Sequence, residues 1–166
     1  MSRINFKSFT GRVTSVDDFP MYPPNDNFGC YKFISVQNDA GTVVNFVAGP
    51  DTFFLYQEKI KVGDQITGYY DGDAATILIY PPQYRALVIV KENPYSQVKV
   101  SYFNEQLISS DGSLQLNIGP DTQMQLTNGQ DFKQNPARRN LIVVYGAATK
   151  SIPAQTTAYE IIIFCR

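Results

Sequence analysis

The side chains able to do chemistry are few and scattered. Cys30 and Cys165 lie at distant points of the chain, a separation that matches no zinc or redox motif. The sequence contains no histidine, so neither thiol has an imidazole base, and the commonest general base and metal ligand is missing. Cys30 reads as a small apolar residue at the start of a strand. Cys165 reads either as the last inward position of the final strand, in phase with Ile161 and Ile163, or as a thiol near a chain end open to cross-linking. Asp71 and Asp73 flank Gly72, and Asp17 adjoins Asp18; paired carboxylates suggest calcium, but neither pair has a calcium-loop spacing, and Asp-Gly-Asp is turn chemistry. Arg138 and Arg139, with Lys133 nearby, form the one tight basic cluster and read as a solvated loop. Tyr31 and Phe33 alternate on one strand and so share a face, while Tyr69 and Tyr70 fall on another. Such aromatics either stack bases or sugars or fill a core. No glycine-rich phosphate-binding pattern occurs. These residues predict no catalytic site, no metal and no cofactor, and the protein is not expected to be an enzyme.

The background composition narrows the partners. The 166 residues carry a net charge of −1, so the basic excess that supplies affinity for nucleic acid is absent and no nucleic-acid partner is expected. Apolar residues make up 43% and charged residues 17%, which suits a folded chain with a sizeable core. The longest apolar runs, at 86–90, 141–145 and 161–165, fall far short of the ~20 residues that span a bilayer as a helix, so no membrane span is expected. Residues 1–7 hold no apolar segment and are not expected to act as a secretory leader.

The elements that must carry these residues read as strands. Aromatics make up 13%, all Tyr and Phe, and period-2 alternation recurs at 12–16, 31–38, 42–47, 64–70, 85–91, 97–103, 114–118, 122–127, 140–145 and 159–165. Asp39-Ala40-Gly41, Asp71-Gly72-Asp73, Asp111-Gly112 and Asn128-Gly129 supply turns between them. The one helical candidate is 50–59, opened by Pro50 and bearing Phe53, Phe54 and Tyr56. The stretch 19–28, rich in Pro, Asn and Asp, reads as a long surface loop.

An internal repeat organises the whole. Gly49-Pro50-Asp51-Thr52 recurs as Gly119-Pro120-Asp121-Thr122, each preceded by an alternating strand that starts near a turn glycine, Gly41 or Gly112. Tyr70 through Ala74-Ala75-Thr76 is echoed by Tyr145 through Ala147-Ala148-Thr149, and Pro81-Pro82-Gln83 by Pro153-Ala154-Gln155. Four matches in the same order predict a duplication. Three strands, a short helix and then Val62-Gly63-Asp64 opening a fourth strand is the order of an OB-fold. The predicted fold is therefore all-β, two tandem OB-like five-stranded β-barrel units related by internal duplication. The expected divisions are an N-terminal arm at 1–9, a first unit at 10–92, a linker at 93–96 and a second unit at 97–166.

The runs Ile79-Tyr80-Pro81-Pro82-Gln83-Tyr84 and Thr149-Lys150-Ser151-Ile152-Pro153-Ala154-Gln155-Thr156-Thr157 resemble segments of surface or secreted proteins of anaerobic spore-forming bacteria. Some of those proteins carry repeats like the N-terminal repeats of copper amine oxidases. The resemblance spans residues 62–164 and implies an extracellular or spore-surface setting, with no catalytic residues attached to it.

The final strand suggests a role. Ile161 and Ile163 point one way and Ile162 and Phe164 the other, yet in a barrel only one face meets the core. The arm carries Ile4 and Phe6 alternating with Arg3, Asn5 and Lys7, a pattern suited to adding a strand to a neighbour. Ile4, Phe6, Ile162, Phe164 and Cys165 are the expected self-association residues of a homo-oligomer built through strand edges and the arm. The expected function is a non-enzymatic structural protein, a subunit of a surface or spore-appendage filament. The alternative is an OB-type binding module for single-stranded nucleic acid or oligosaccharide, using Tyr31, Phe33, Tyr69 and Tyr70.

Overall fold

The computed structural model describes residues 3–23 and 25–166. Met1, Ser2 and Pro24, the last within the predicted 19–28 loop, lie outside the described residues. The described chain is all-β, with one short 3-10 turn and no α-helix. It divides into two compact units: Lys7–Glu92, and Asn93–Arg166 together with residues 3–6.

The first unit contains β1 (Phe6–Asp18), β2 (Lys32–Gln37), β3 (Val43–Ala48), β4 (Phe53–Phe54), β5 (Gln65–Asp71), β6 (Gln83–Arg85) and β7 (Val88–Lys91). They form one sheet in the order β4-β7-β5-β1-β2-β3-β6. β1, β2 and β3 make an antiparallel meander; the long segment 19–31 connects β1 to β2, and a tight Asx and glycine turn at Asn38–Thr42 connects β2 to β3. A bulge in β1 between Val13 and Ser15 shifts the alternation by one residue. Val13 and Val16 can therefore both face the core beside Ile34, Val36, Val44, Phe46, Ile66 and Ile89. Gly68 makes room for the Phe46 ring, since a Cβ there would sit 2.5 Å from it.

The second unit contains β8 (Gln97–Phe103), β9 (Leu114–Asn117), β10 (Gln123–Leu126), β11 (Arg139–Tyr145), β12 (Ala154–Thr157) and β13 (Glu160–Ile163). One sheet has the order β10-β13-β11-β8, and β12 pairs with β9. Its core gathers Phe103, Leu114, Leu116, Leu141, Val143, Ile161 and Ile163.

The duplication is present in the parallel ladders and in the corner between them. β3 runs parallel to β6 with Asn45 opposite Gln83, and β9 parallel to β12 with Gln115 opposite Gln155. β4 runs parallel to β7 and β10 to β13. Between these paired strands the chain turns the same corner in both units. The Thr52 hydroxyl accepts the Gly49 N–H at 3.0 Å and donates to the Ala86 carbonyl at 2.8 Å. The Thr122 hydroxyl accepts the Gly119 N–H at 3.0 Å and donates to the Ala158 carbonyl at 2.6 Å. A hydroxyl side chain suits this half-buried corner because one group both accepts and donates there.

The OB-barrel expectation is corrected by this pairing. Among the described residues each unit mixes parallel and antiparallel pairs, and its sheets are not barrels. The parallel ladders lay the second pass of the chain, β6 to β7, on the first pass, β3 to β4, so that coils stack as in a β-solenoid rather than closing as in a barrel. The helical candidate at 50–59 is also corrected. Phe53 and Phe54 are drawn into the sheet beside Val88 and Ile89, leaving only the 3-10 turn Leu55–Gln57, in which Tyr56 takes a left-handed φ of 59°. The strand predicted at 85–91 is two strands, β6 and β7, meeting at the corner, and 159–165 is likewise preceded by a separate β12.

Candidate functional site: an open strand edge beneath an apolar loop

The expected stacking residues divide. Ile34 and Val36 of β2 point into the core, which leaves Tyr31 and Phe33 half-exposed on the other side. There Phe33 tilts against Phe19 at 5.8 Å between ring centres, and Tyr31 lies close over Gly49. Tyr69 and Tyr70 are successive residues of β5 and so face opposite ways. Tyr70 lies flat on Tyr84, with ring centres 3.8 Å apart and planes within 4°. Burial first, and then the Tyr84 hydroxyl beside it, push the Tyr70 phenol up to about 12.

Tyr84 belongs to β6, and what lies around β6 is the most unusual surface of the chain. The ten residues 71–80 between Tyr70 and Pro81 begin with an Asx turn, in which the Asp73 N–H donates to the Asp71 carboxylate at 3.0 Å. That bond, together with Ala74 donating to the Asp71 carbonyl, accounts for the Asp-Gly-Asp motif as a turn. The loop then carries Ile77, Leu78, Ile79 and Tyr80 into solvent. Leu78 is fully exposed, Tyr80 77%, Ile77 63% and Ile79 47%. Between this tip and β6 opens a cavity of about 460 Å³ lined by the tip residues with Pro82, Gln83 and Tyr84. The tip, Tyr84 and the cavity were not foreseen from sequence. The available signal was a charge-free apolar run, 77–80, lying outside every alternating strand.

The peptide groups of β6 are arranged for a further partner. The Asn45 N–H donates to the Pro82 carbonyl, and the Ala86 N–H to the Val47 carbonyl. In a parallel ladder this turns the N–H and C=O of the intervening Gln83 and Arg85 away from β3. Arg85 also pairs through its side chain with Asp51 at 3.1 Å.

The expected self-association residues are placed within the chain. The Ile4 N–H donates to the Asn140 side-chain oxygen at 3.1 Å, Arg3 lies over the Tyr102 ring, and Phe6 meets Phe164 edge to face at 6.0 Å. Ile162 and Phe164 are buried. The arm therefore packs on its own chain because Phe6 covers the outward ring of the last strand. Cys165 lies beyond β13 and is exposed, contrary to the inward position; Cys30 is also exposed, in the loop before β2, and both are free thiols. Arg138 and Arg139 part company: the first pairs with Glu105, and the second lies 4.8 Å over the Phe132 ring.

One polar cluster stands apart. Asp111 accepts the Ser109 and Ser113 hydroxyls, each at 2.7 Å, and the Lys99 ammonium at 2.5 Å. Burial alone would raise its carboxyl, but these bonds outweigh burial and hold it well below the usual carboxylate range. The Lys99 bonds to Asp111 and Ser113 staple the β8 edge to the 109–113 turn. Among the described residues no group of three or more Cys, Asp or Glu side chains could hold a metal ion, and no helix is long and apolar enough to cross a membrane.

No family model matches the chain, and no curated protein matches it in sequence.

Proposed function

We propose that the protein is a non-enzymatic structural subunit that works by associating with copies of itself. The observation that carries this reading is the apolar tip at 77–80. Four consecutive large apolar side chains held in water cost solvation, and surfaces of this kind mark places that a partner covers. A surface setting belongs to the same proposal. It rests on the resemblance of the runs 79–84 and 149–157, which occupy equivalent places before and within β6 and β12. Light scattering on a dilution series, in reductant so that Cys30 and Cys165 stay free, tests it. Mass rising with concentration is expected, and a monomer at the highest attainable concentration refutes it.

A second reading, an oligosaccharide-binding module, is favoured by Tyr31 and Phe33 standing half-exposed at the start of β2. Calorimetric binding of a sugar polymer, lost in Tyr31→Ala, would establish it.

A further inference from the structure

The two units differ most where their shared plan predicts the same structure. In the second unit the segment between Tyr145 and Pro153 has seven residues, and it folds back on its own edge strand. Thr149 donates its N–H to the Gln155 carbonyl and accepts the Gln155 N–H on its hydroxyl, both at 2.9 Å. The Thr156 hydroxyl donates to the Ala147 carbonyl at 2.7 Å. The outward peptide group of β12 is therefore covered from within. In the first unit Gln83 is the counterpart of Gln155, but the preceding loop has ten residues, and its backbone N–H bonds at Ala74 and Ile79 run to the nearby Asp71 and Ile77 carbonyls. Beside β6, residues 76–80 of this loop instead line, with Pro82, Gln83 and Tyr84, a cavity of about 460 Å³. The loop is not a poor strand former. Residues 74–80 read Ala-Ala-Thr-Ile-Leu-Ile-Tyr, uncharged and rich in residues that favour sheets, and they lie in no sheet.

We propose that this segment is exchanged between two copies of the chain. The run 76–80 of each copy lies along the β6 edge of the other and bonds the outward N–H and C=O of Gln83, as Thr149 bonds Gln155 within one chain. The second copy is the fitting occupant because donor run and acceptor edge are both on this loop and its following strand. The contact is then the same on both chains and closes on a two-fold axis. Three extra residues let the loop reach outward instead of folding back, and an uncharged tip enters a cavity lined by Pro82 and Tyr84 without stranding a charge.

This inference rests on the self-association reading, and the experiment separates the two. The full chain is measured by light scattering beside two variants, with circular dichroism to verify folding. One variant is Leu78→Asp, at a fully exposed position that the fold does not use. The other replaces residues 71–80 by the seven residues 146–152, so that the loop can clasp its own edge. A dimer for the parent chain and monomers for both variants are expected. Variants that associate as the parent does overturn the loop exchange and leave self-association standing, whereas a monomeric parent removes both. As an independent readout, chains carrying Leu78→Cys are mixed with chains carrying Gln83→Cys, each lacking the native thiols through Cys30→Ser and Cys165→Ser. A disulfide between unlike chains is expected; cross-links only between like chains overturn the pairing.

Discussion

Tyr70 and Asp111 are the side chains whose ionisation the fold alters most clearly, and in opposite ways. Tyr70 is half-buried against Tyr84, so its neutral form is favoured and its phenol titrates near 12. A group whose folded pKa is raised contributes stability that is complete below the ordinary phenol range and fades as pH rises from 10 toward 12. In an alkaline absorbance titration Tyr70 should be among the late-ionising of the 11 tyrosines, together with Tyr145, and Tyr70→Phe should remove one late step. Asp111 is the reverse case, with Lys99, Ser109 and Ser113 holding the charged form. Its contribution is present above the usual carboxylate value of 3.8 and is lost as pH falls below it. Asp111→Asn should flatten the acid limb of the stability curve below pH 4, as followed by denaturant unfolding at stepped pH. None of these partnerships was legible in the sequence. Asp111 announces a turn, but Lys99 reaches it only because β8 lies beside the 109–113 turn, and Tyr84 reaches Tyr70 only because the corner returns the chain.

At the scale of elements, the corner after β3 and its copy after β9 are the devices that make coils stack. Each rests on a threonine hydroxyl bonded on both sides. Thr52→Val and Thr122→Val keep the shape but leave a buried N–H and a carbonyl unmet, each costing about 1–3 kcal/mol. Urea unfolding should show losses of similar size for both, and a negligible loss in either would mean that the corner is held by its ladders alone. The repeated Gly-Pro-Asp-Thr was visible in the sequence and marks this corner. The meaning of the corner was not, because a Thr bonded to a carbonyl 34 or 36 residues on leaves no local pattern. The same gap hid β4. A two-residue strand has no periodicity to detect and exists only because Val88 and Ile89 run beside it.

At the scale of the whole chain, the first residues are committed to the unit that contains the last ones. Phe6 closes over Phe164, and Ile4 bonds Asn140. Phe6→Ala should lower stability by about 1–3 kcal/mol, the ring pair and its burial together, and should leave the oligomeric state unchanged. If it instead yields monomers at undiminished stability, the arm rather than the loop joins the copies. Light scattering and thermal unfolding of the one variant decide between these outcomes.

Composition and alternation by themselves determined that the chain is all-β, that it is duplicated, and where most strands and turns fall, because period-2 patterning and Gly, Asn and Asp turn chemistry act over a few residues. The count of histidines and the spacing of cysteines likewise argued against the common catalytic designs. Only the tertiary structure decided which strands are neighbours. Parallel pairing joins residues nearly forty positions apart, such as Asn45 with Gln83, and no short-range pattern specifies it. That pairing turned an expected pair of barrels into stacked coils. It also left one of two equivalent edges covered by its own loop and the other facing a cavity. A hydrogen bond to a distant strand depends on where the chain returns, and the sequence near either partner carries no record of it.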